Sequence, residues 1–315
     1  MKKKHALRIA LFVIAAVTFI ALMITEPTKS APAHSYYAAD ASYPFVIAHK
    51  GGNGLWPGNT MYAFQHAVTL GVDAIETDVH VSKDGVLVLM HDDRVDYNTN
   101  GSGLIEDLTL SDLKKLDDAY KWSPDNGKSF PYRGMGITIP TLEEAFQTFP
   151  NQRFVLDVKR TSLPIESQIC DLIRKYKKKD QVVVASLYDD IQVRFRQACP
   201  EVASSAAFGE VAVYVLTEKS HLDGWIPSAY ESLQGPIDPF GVYDALIVTK
   251  SYIQDAHARN LRVEPWVNDS DSMKRYIGYG VDGIITDYPD IALQILNRRQ
   301  VFICPSCAAP SKTGR

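Results

Sequence analysis

Apolar and polar positions fall into two alternating patterns over residues 44–298. Short runs rich in β-branched residues predict strands, and longer stretches with helical spacing of apolar positions predict helices between them. The predicted strands are 45–49, 74–79, 86–91, 153–159, 181–186, 202–208, 245–249, 261–267 and 283–286. The predicted helices are 60–70, 142–149, 165–176, 189–198, 251–260 and 270–278. This alternation is typical of an α/β protein with a parallel sheet, and it indicates a (β/α)8 TIM barrel.

The second and third predicted strands are joined by a link that is too short for a parallel crossover. We therefore predict an antiparallel hairpin that turns at Asp84-Gly85, a strong turn dipeptide. Such a turn pairs Asp78 with His91, although a loop of another length would shift the register. Removing the return strand leaves the eight strands that a barrel requires.

Residues 92–141 form too long a segment for an ordinary barrel loop. They are predicted to be a small insertion on the catalytic face, directly after the hairpin. Its aromatic residues either line a substrate mouth or pack the insertion onto the barrel. These residues are Tyr120, Trp122, Phe130 and Tyr132.

The chain begins with a basic stretch, an uncharged apolar run over residues 9–24 and an A-x-A sequence ending at Ala33. This order predicts a secretory signal peptide over residues 1–33, cleaved after Ala33, or an uncleaved signal anchor. Either alternative exports the barrel domain at residues 44–298 to a periplasmic or secreted location. An uncleaved anchor would also hold it at a membrane. Residues 299–315 are predicted to be a C-terminal tail.

Composition bears on possible partners, and the cysteines bear on possible disulfides. The 33 basic and 37 acidic residues give a formal net charge of −4, and no basic run suggests nucleic-acid binding. Cys170 falls on a predicted helix and Cys199 ends the next one, and the two either pair in an oxidising compartment or remain separate buried thiols. Cys304 and Cys307 in the tail suggest a local disulfide or no special role.

Acidic residues recur inside the predicted strands. Glu76 and Asp78 lie two apart, so their side chains leave the strand on the same face. Two like charges on a mostly buried element are costly unless a cation lies between them. Asp157 and Lys159 have the same spacing on a later strand. Three carboxylates without cysteine suit a hard divalent cation, Mg²⁺ or Ca²⁺, although ion pairs with lysine would also explain them.

Two histidines accompany the carboxylates. His49 ends the first predicted strand, where the catalytic groups of barrels collect, and His91 ends the hairpin. Histidines suit a general acid and base pair, and Lys50 and Lys159 suit an anionic substrate. Together with a metal, these groups favour phosphodiester cleavage.

Several longer stretches resemble the glycerophosphodiester phosphodiesterase family. They are IAHKGGNGLWPGNTMYAF, GVDAIETDVHVSKDGVLVLMHDD, NTNGSG, IPTLEEAF, LDVK and GVDGIITDYPD, and the resemblance covers about residues 45–296. It implies a barrel enzyme that hydrolyses glycerophosphodiesters with one bound divalent cation. It implies His49 and His91 as acid and base, Glu76, Asp78 and Asp157 as metal ligands, and Lys50, Lys159, Asn59 and Trp266 as substrate-binding residues, with Asn268 beside Trp266.

Three positions depart from the pattern that the resemblance implies. Lys50 replaces the usual Arg, Gly58 replaces the usual Glu, and Asp157 replaces a more common Glu. We expect altered substrate preference or a lower rate, because both histidines and the three carboxylates remain. A lysophospholipase D with an acyl-chain site in the apolar stretch 221–243 is an alternative, with contact to a membrane surface. A non-catalytic phospholipid-binding protein is another.

Overall fold

The computed structural model describes residues 30–37, 44–220, 227–235 and 247–298, together with Ile14 and Val17. Its strands are β1 (Phe45–Ala48), β2 (Ala74–Val81), β3 (Leu87–Leu89), β4 (Arg153–Val158), β5 (Val182–Ala185), β6 (Ala203–Ser204), β7 (Ser232–Gly235), β8 (Arg262–Pro265) and β9 (Gly283–Thr286). Its α-helices are α1 (Met61–Leu70), α2 (Leu110–Leu113), α3 (Leu142–Thr148), α4 (Glu166–Lys175), α5 (Asp189–Ala198), α6 (Phe208–Lys219), α7 (Lys250–Ala258), α8 (Ser270–Tyr279) and α9 (Pro289–Ile295).

Eight parallel strands close into a barrel. One sheet runs in the order β6-β5-β4-β2-β1-β9, and β7 pairs with β8. Single bridges between Ser205 and Ser232 and between Trp266 and Ile285 join the two sheets at both edges. β3 pairs with β2 in antiparallel orientation, and its Val88 forms a single antiparallel bridge to Thr141. The predicted (β/α)8 barrel with one return strand is therefore confirmed.

The sixth of the eight barrel strands is not the predicted one. β7 lies at Ser232–Gly235, whereas residues 247–249 of the predicted strand 245–249 are not in a strand and residues 245–246 lie outside the described part. Val248 is buried, and Thr249 caps α7 by accepting a hydrogen bond from the backbone N–H of Tyr252. The apolar run thus reflects burial of a loop, which hydrophobicity alone cannot distinguish from a strand.

Three of the helices, α2, α6 and α9, were not predicted, and the strand before α6 was predicted much too long. The sixth strand was expected over residues 202–208, but β6 ends at Ser204 and α6 begins at Phe208. Glu210 fixes this start, because its carboxylate accepts a hydrogen bond from the Ala207 N–H at 2.8 Å. The short α9 follows the last strand and begins with Pro289, which suits a first helical position.

The hairpin register differs by one residue from the prediction. Val81 is opposite Leu87, and the Met90 N–H donates to the Asp78 carbonyl at 3.1 Å, so Asp78 faces Met90 and not His91. The loop has three residues rather than two, and Gly85 adopts a φ of 81°. That positive φ is the geometry of a three-residue hairpin loop, in which glycine is favoured.

The segment 30–37 closes one end of the barrel. Tyr36 and Tyr37 are buried with the inward-facing Ile47 and Ile285, and the Ala31 N–H donates to the Arg259 carbonyl at 2.8 Å. Cleavage after Ala33 would remove that last contact. Most of the predicted signal segment, the tail at 299–315 and Cys304 and Cys307 lie outside the described residues. No helix within the described ranges has the length and apolar character to span a membrane.

The insertion at 92–141 packs onto the barrel through its aromatic side chains. The Trp122 indole donates to the Asn53 carbonyl at 2.9 Å, and the Tyr132 ring lies 5.2 Å from that of Tyr62. Tyr120 and Phe130 lie on the guanidinium of Arg133. Trp122 and Tyr132 thus pack the insertion onto the barrel, and none of the four aromatic residues lines the pocket described below, which favours the packing interpretation.

A disulfide joins Cys170 of α4 to Cys199 at the end of α5, with the Cα atoms 5.6 Å apart. Both residues are fully buried among the outer helices. Of the two alternatives for this pair, the structure contains the bonded one.

Candidate active site

Three carboxylates meet at the carboxyl ends of two neighbouring strands. Glu76 and Asp78 leave β2 on the inner face, and the parallel register places Asp157 of β4 directly beside Asp78. One oxygen from each carboxylate lies within 4.8 Å of the others. The sequence prediction that these residues converge is therefore confirmed, and the reason is the shared strand spacing.

Lys159 forms a bridge between two of these carboxylates. Its Nζ lies 2.7 Å from Asp78 Oδ1 and 2.5 Å from Asp157 Oδ2. Burial lowers the pKa of Lys159, but Asp157 and Asp78 raise it by more, so the ammonium is charged. Burial likewise raises the pKa of Asp78, yet Lys159 and Lys50 hold it below its usual range.

Glu76 is the carboxylate that has no lysine ammonium against it. Its Oε2 accepts a hydrogen bond from the backbone N–H of Lys50 at 2.8 Å and lies 3.9 Å from His49 Nε2. Burial, followed by the negative charge of Asp78, raises the pKa of Glu76 to about 7. A cation among the three carboxylates would relieve this penalty.

His49 is held by an aspartate that the sequence analysis missed. His49 Nδ1 lies 2.6 Å from Asp287 Oδ1, and Asn268 donates to Asp287 Oδ2 at 2.6 Å. Burial lowers the pKa of His49, but Glu76 and Asp287 raise it overall. Burial raises the pKa of Asp287, but the bond to His49 lowers it overall. Asp287 directly follows β9, and its position at a strand end was the available sequence feature.

His91 approaches the same pocket from the hairpin. Its side chain is 44% exposed, and Nδ1 lies 3.2 Å from Asp92 Oδ1. The His80 ring contacts the His91 carbonyl at 3.2 Å and so restrains the backbone there. The His91 side chain is therefore more exposed and less tightly hydrogen-bonded than that of His49, although both line one pocket.

Asn59 does not occupy the substrate-side position expected for it. It is buried, donates to Asp78 Oδ2 at 2.8 Å and accepts from Thr77 Oγ1 at 2.7 Å. It is not among the residues that line the pocket. Because all of these bonds point at β2, Asn59 positions Asp78, and the substrate-binding assignment is corrected accordingly.

Lys50 and Gly58 occupy a tight turn behind the carboxylates. Lys50 adopts a φ of 54° and holds Glu76 through its backbone, so a phosphate contact by its ammonium stays a prediction. A Cβ at position 58 would lie 2.6 Å from Asn53 Oδ1 and 2.9 Å from Lys50 Cβ. The glycine therefore permits a close approach that the usual glutamate would force apart.

The pocket has a volume of about 560 Å³ and two chemically different halves. The acidic half contains the carboxylates, the histidines and Lys159. Trp266 lies at its edge, with its ring 5.7 Å from that of His49. The other side, which we call the apolar half, is lined by Leu187, Phe208, Val211, Leu233, Ile247 and Val263. Of the predicted apolar stretch 221–243, only residues 227–235 are described, and they contribute Leu233.

Comparisons with known proteins agree with this geometry. The glycerophosphoryl diester phosphodiesterase family matches residues 49–291. A glycerophosphodiester phosphodiesterase of Caldanaerobacter subterraneus subsp. tengcongensis is 32% identical over 80% of this chain and 98% of its own. A lysophospholipase D of Rattus norvegicus is 28% identical over 80% of this chain and 85% of its own. An Oleispira antarctica phosphodiesterase, solved with the product sn-glycerol-3-phosphate, has a TM-score of 0.63 at 24% identity and covers 84% of this chain and 100% of its own.

Proposed function

The chain belongs to the glycerophosphoryl diester phosphodiesterase family, and on that premise we propose how its site cleaves its substrate. It is a phosphodiesterase that hydrolyses glycerophosphodiesters to an alcohol and sn-glycerol 3-phosphate. The observation that carries this proposal is that two histidines, three carboxylates and one lysine line a single pocket. The named activities of its relatives support the same reaction.

The three carboxylates fit one divalent cation. The donor set contains only oxygen, and its atoms are close enough to share one ion. Glu76, Asp78 and Asp157 are the residues that would hold it, and Mg²⁺ or Ca²⁺ is the proposed ion. When bound, such an ion neutralises negative charge on the phosphoryl oxygens.

Two histidines separate the two proton transfers that the reaction requires. The attacking water must lose a proton as its oxygen bonds to phosphorus, and the departing alkoxide must gain one as its bond to phosphorus breaks, on opposite sides of the phosphorus. Asp287 holds His49 at Nδ1, which leaves Nε2 facing the pocket for one of these transfers. His91 is proposed for the other. Lys159 and Lys50 are proposed to add positive charge near the phosphate.

The test is release of sn-glycerol 3-phosphate from glycerophosphocholine by the purified full chain with and without Mg²⁺ or Ca²⁺. We expect cation-dependent release that excess EDTA abolishes. Release at the full rate in EDTA would contradict the metal assignment, and no release with either ion would contradict the proposed reaction.

A second candidate is lysophospholipase D activity, and the apolar half of the pocket favours it. A pocket of this volume is in the range that holds drug-sized ligands, and its aliphatic lining suits an acyl chain. The relative from Rattus norvegicus supports this possibility. Lysophosphatidylcholine offered beside glycerophosphocholine separates the candidates, because only an acyl site gives a lower KM for the lipid. Binding of either compound without turnover would indicate the non-catalytic alternative.

We also propose that the barrel is exported, because of the N-terminal segment ending at Ala33. A chain retained by an uncleaved anchor would sediment with membranes and keep residues 1–33. N-terminal sequencing of the exported protein distinguishes cleavage after Ala33 from retention, and a protein found entirely in the cytoplasm would contradict export.

A further inference from the structure

The Lys159 ammonium lies where two of the proposed metal ligands point. Asp78 uses Oδ2 to accept a hydrogen bond from Asn59 and Oδ1 to bind Lys159, so both of its oxygens have a partner. Asp157 binds Lys159 through Oδ2 at 2.5 Å. A divalent cation that takes these oxygens has to share them with the ammonium or replace it.

Sharing is electrostatically unfavourable. An ammonium and a divalent cation on the same two oxygens would lie within a few ångströms of each other inside a buried site, where their repulsion is weakly screened. Replacement is sterically possible, since Lys159 lines the pocket and its four-carbon stem is flexible. Its backbone is fixed, because the Lys159 N–H donates to the Val79 carbonyl at 3.1 Å.

We propose that Lys159 is an internal counter-ion of the metal-free site and that a divalent cation displaces it into the pocket, where the ammonium becomes available to the substrate phosphate. This inference rests on the proposed function. It gives the buried Asp78 a positively charged partner at 2.7 Å before the cation binds. It also makes the phosphate-binding lysine available only when the cation is present.

The first test measures cation affinity by calorimetry for the unaltered chain and for Lys159→Met, titrating Mg²⁺ and Ca²⁺ alone. Removal of the competing charge should tighten binding by about 10-fold or more. Lys175→Met is the matched control, because Lys175 pairs with Glu143 on the exposed surface and should leave the affinity unchanged. Equal or weaker binding by Lys159→Met would overturn the proposal.

The second test observes the unaltered chain and uses a conservative variant only to assign one resonance. The unaltered chain carrying ε-¹³C-lysine is titrated with cation, and the Lys159 resonance is assigned by its absence in Lys159→Arg. We expect this resonance to move in proportion to saturation, whereas that of Lys178, which is held by three backbone carbonyls, stays in place.

The outcomes separate this proposal from the proposed function. A Lys159 resonance that does not move at saturation, in a protein that hydrolyses glycerophosphocholine, overturns only the displacement. A protein that binds no divalent cation overturns both the displacement and the metal-dependent reaction.

Discussion

The two halves of the pocket are built on the same barrel but restrain their side chains differently. In the acidic half, Asp78, Glu76 and His49 each have a hydrogen-bonded partner within 2.8 Å. In the apolar half, Leu187 and Phe208 are more than half exposed at the rim. Precise bonds suit groups that act on one phosphorus atom, whereas a loose aliphatic wall suits substituents of varied shape.

The two halves should control different properties of the enzyme. The acidic half should determine whether the phosphodiester bond breaks at all, and the apolar half should determine which alcohol is attached to it. Substitutions in the first half are therefore expected to change kcat for every substrate. Substitutions in the second are expected to change the ratio between substrates.

The largest expected effect comes from Asp78→Asn. The amide keeps the shape of the side chain but removes the charge that binds both Lys159 and the proposed cation. We expect cation binding to be lost and kcat for glycerophosphocholine to fall on the order of 10³-fold. Calorimetry and product assays provide the measurements.

Asp171→Asn is the matched control for this change, because Asp171 is a mostly exposed aspartate on α4. It should alter neither cation affinity nor rate. An Asp78→Asn protein that still binds the cation with unchanged affinity would remove Asp78 from the ligand set.

Asp287→Asn should have the next largest effect. It removes the negative charge beside His49 Nδ1 and with it the preference for one ring orientation and tautomer. We expect kcat to fall on the order of 10²-fold, as His49→Ala should also produce, while cation affinity stays within about twofold. Steady-state kinetics and calorimetry test both quantities.

A substrate with a good leaving group can show which of the two histidines is the acid. A nitrophenyl ester needs no acid for the departing group, so it should restore the rate of His49→Ala or of His91→Ala, but not of both. If neither variant is slower than the unaltered chain on glycerophosphocholine, the two-histidine mechanism is wrong.

A smaller effect is expected in the apolar half, and only for lipid substrates. Leu187→Ser and Phe208→Ser should raise KM for lysophosphatidylcholine by about 10-fold, since burying an apolar side chain against an acyl chain contributes roughly 1.5–3 kcal/mol when complete and less at a half-exposed rim. Glycerophosphocholine kinetics should not change.

Leu216→Ser is the control for these rim substitutions. Leu216 lies on α6 with Phe208 and is well exposed, but it does not line the pocket. Equal effects of all three substitutions would point to general contact with lipid aggregates rather than to an acyl site. No effect on either substrate would leave the apolar half without a role in specificity.

The two halves also differ in how well the sequence predicted them. Glu76, Asp78 and Asp157 were identified because charges at a spacing of two on a buried strand are unusual enough to require an explanation. Asp287 carries the same charge at a strand end, but it has no second charge beside it on β9 and was missed. Asn59 was placed on the substrate side because a motif does not show which way a side chain turns.

The apolar half could not be predicted, because aliphatic residues look alike in a core, a loop and a pocket wall. Ile247 belongs to the run that was predicted as a strand, yet it lines the pocket from a loop. Leu233 lies on β7, a strand without enough β-branched residues to be recognised. The predicted hairpin register was wrong by one residue for a similar reason, since a loop of two or three residues fits the same Asp-Gly sequence.

The smallest effect on activity is expected from the Cys170→Ala/Cys199→Ala double variant, which alters the scaffold beneath both halves. Closing a loop of 29 residues restricts the unfolded chain, so its loss should lower the free energy of unfolding by about 2–4 kcal/mol and Tm by roughly 5–10 °C. Thermal unfolding with and without reductant measures this. The unaltered chain should be sensitive to reductant and the variant should not.

When the disulfide is removed, α4 and the end of α5 keep a second connection in the folded chain. The Arg174 guanidinium donates to the Ala198 carbonyl at 3.2 Å and pairs with Glu201 at 2.6 Å, next to the disulfide. These contacts hold the helices in place once the chain is folded, so kcat and the ratio between lipid and soluble substrates should be unchanged at 25 °C. A changed ratio would mean that the outer helices, and not only the strand ends, set the shape of the apolar half.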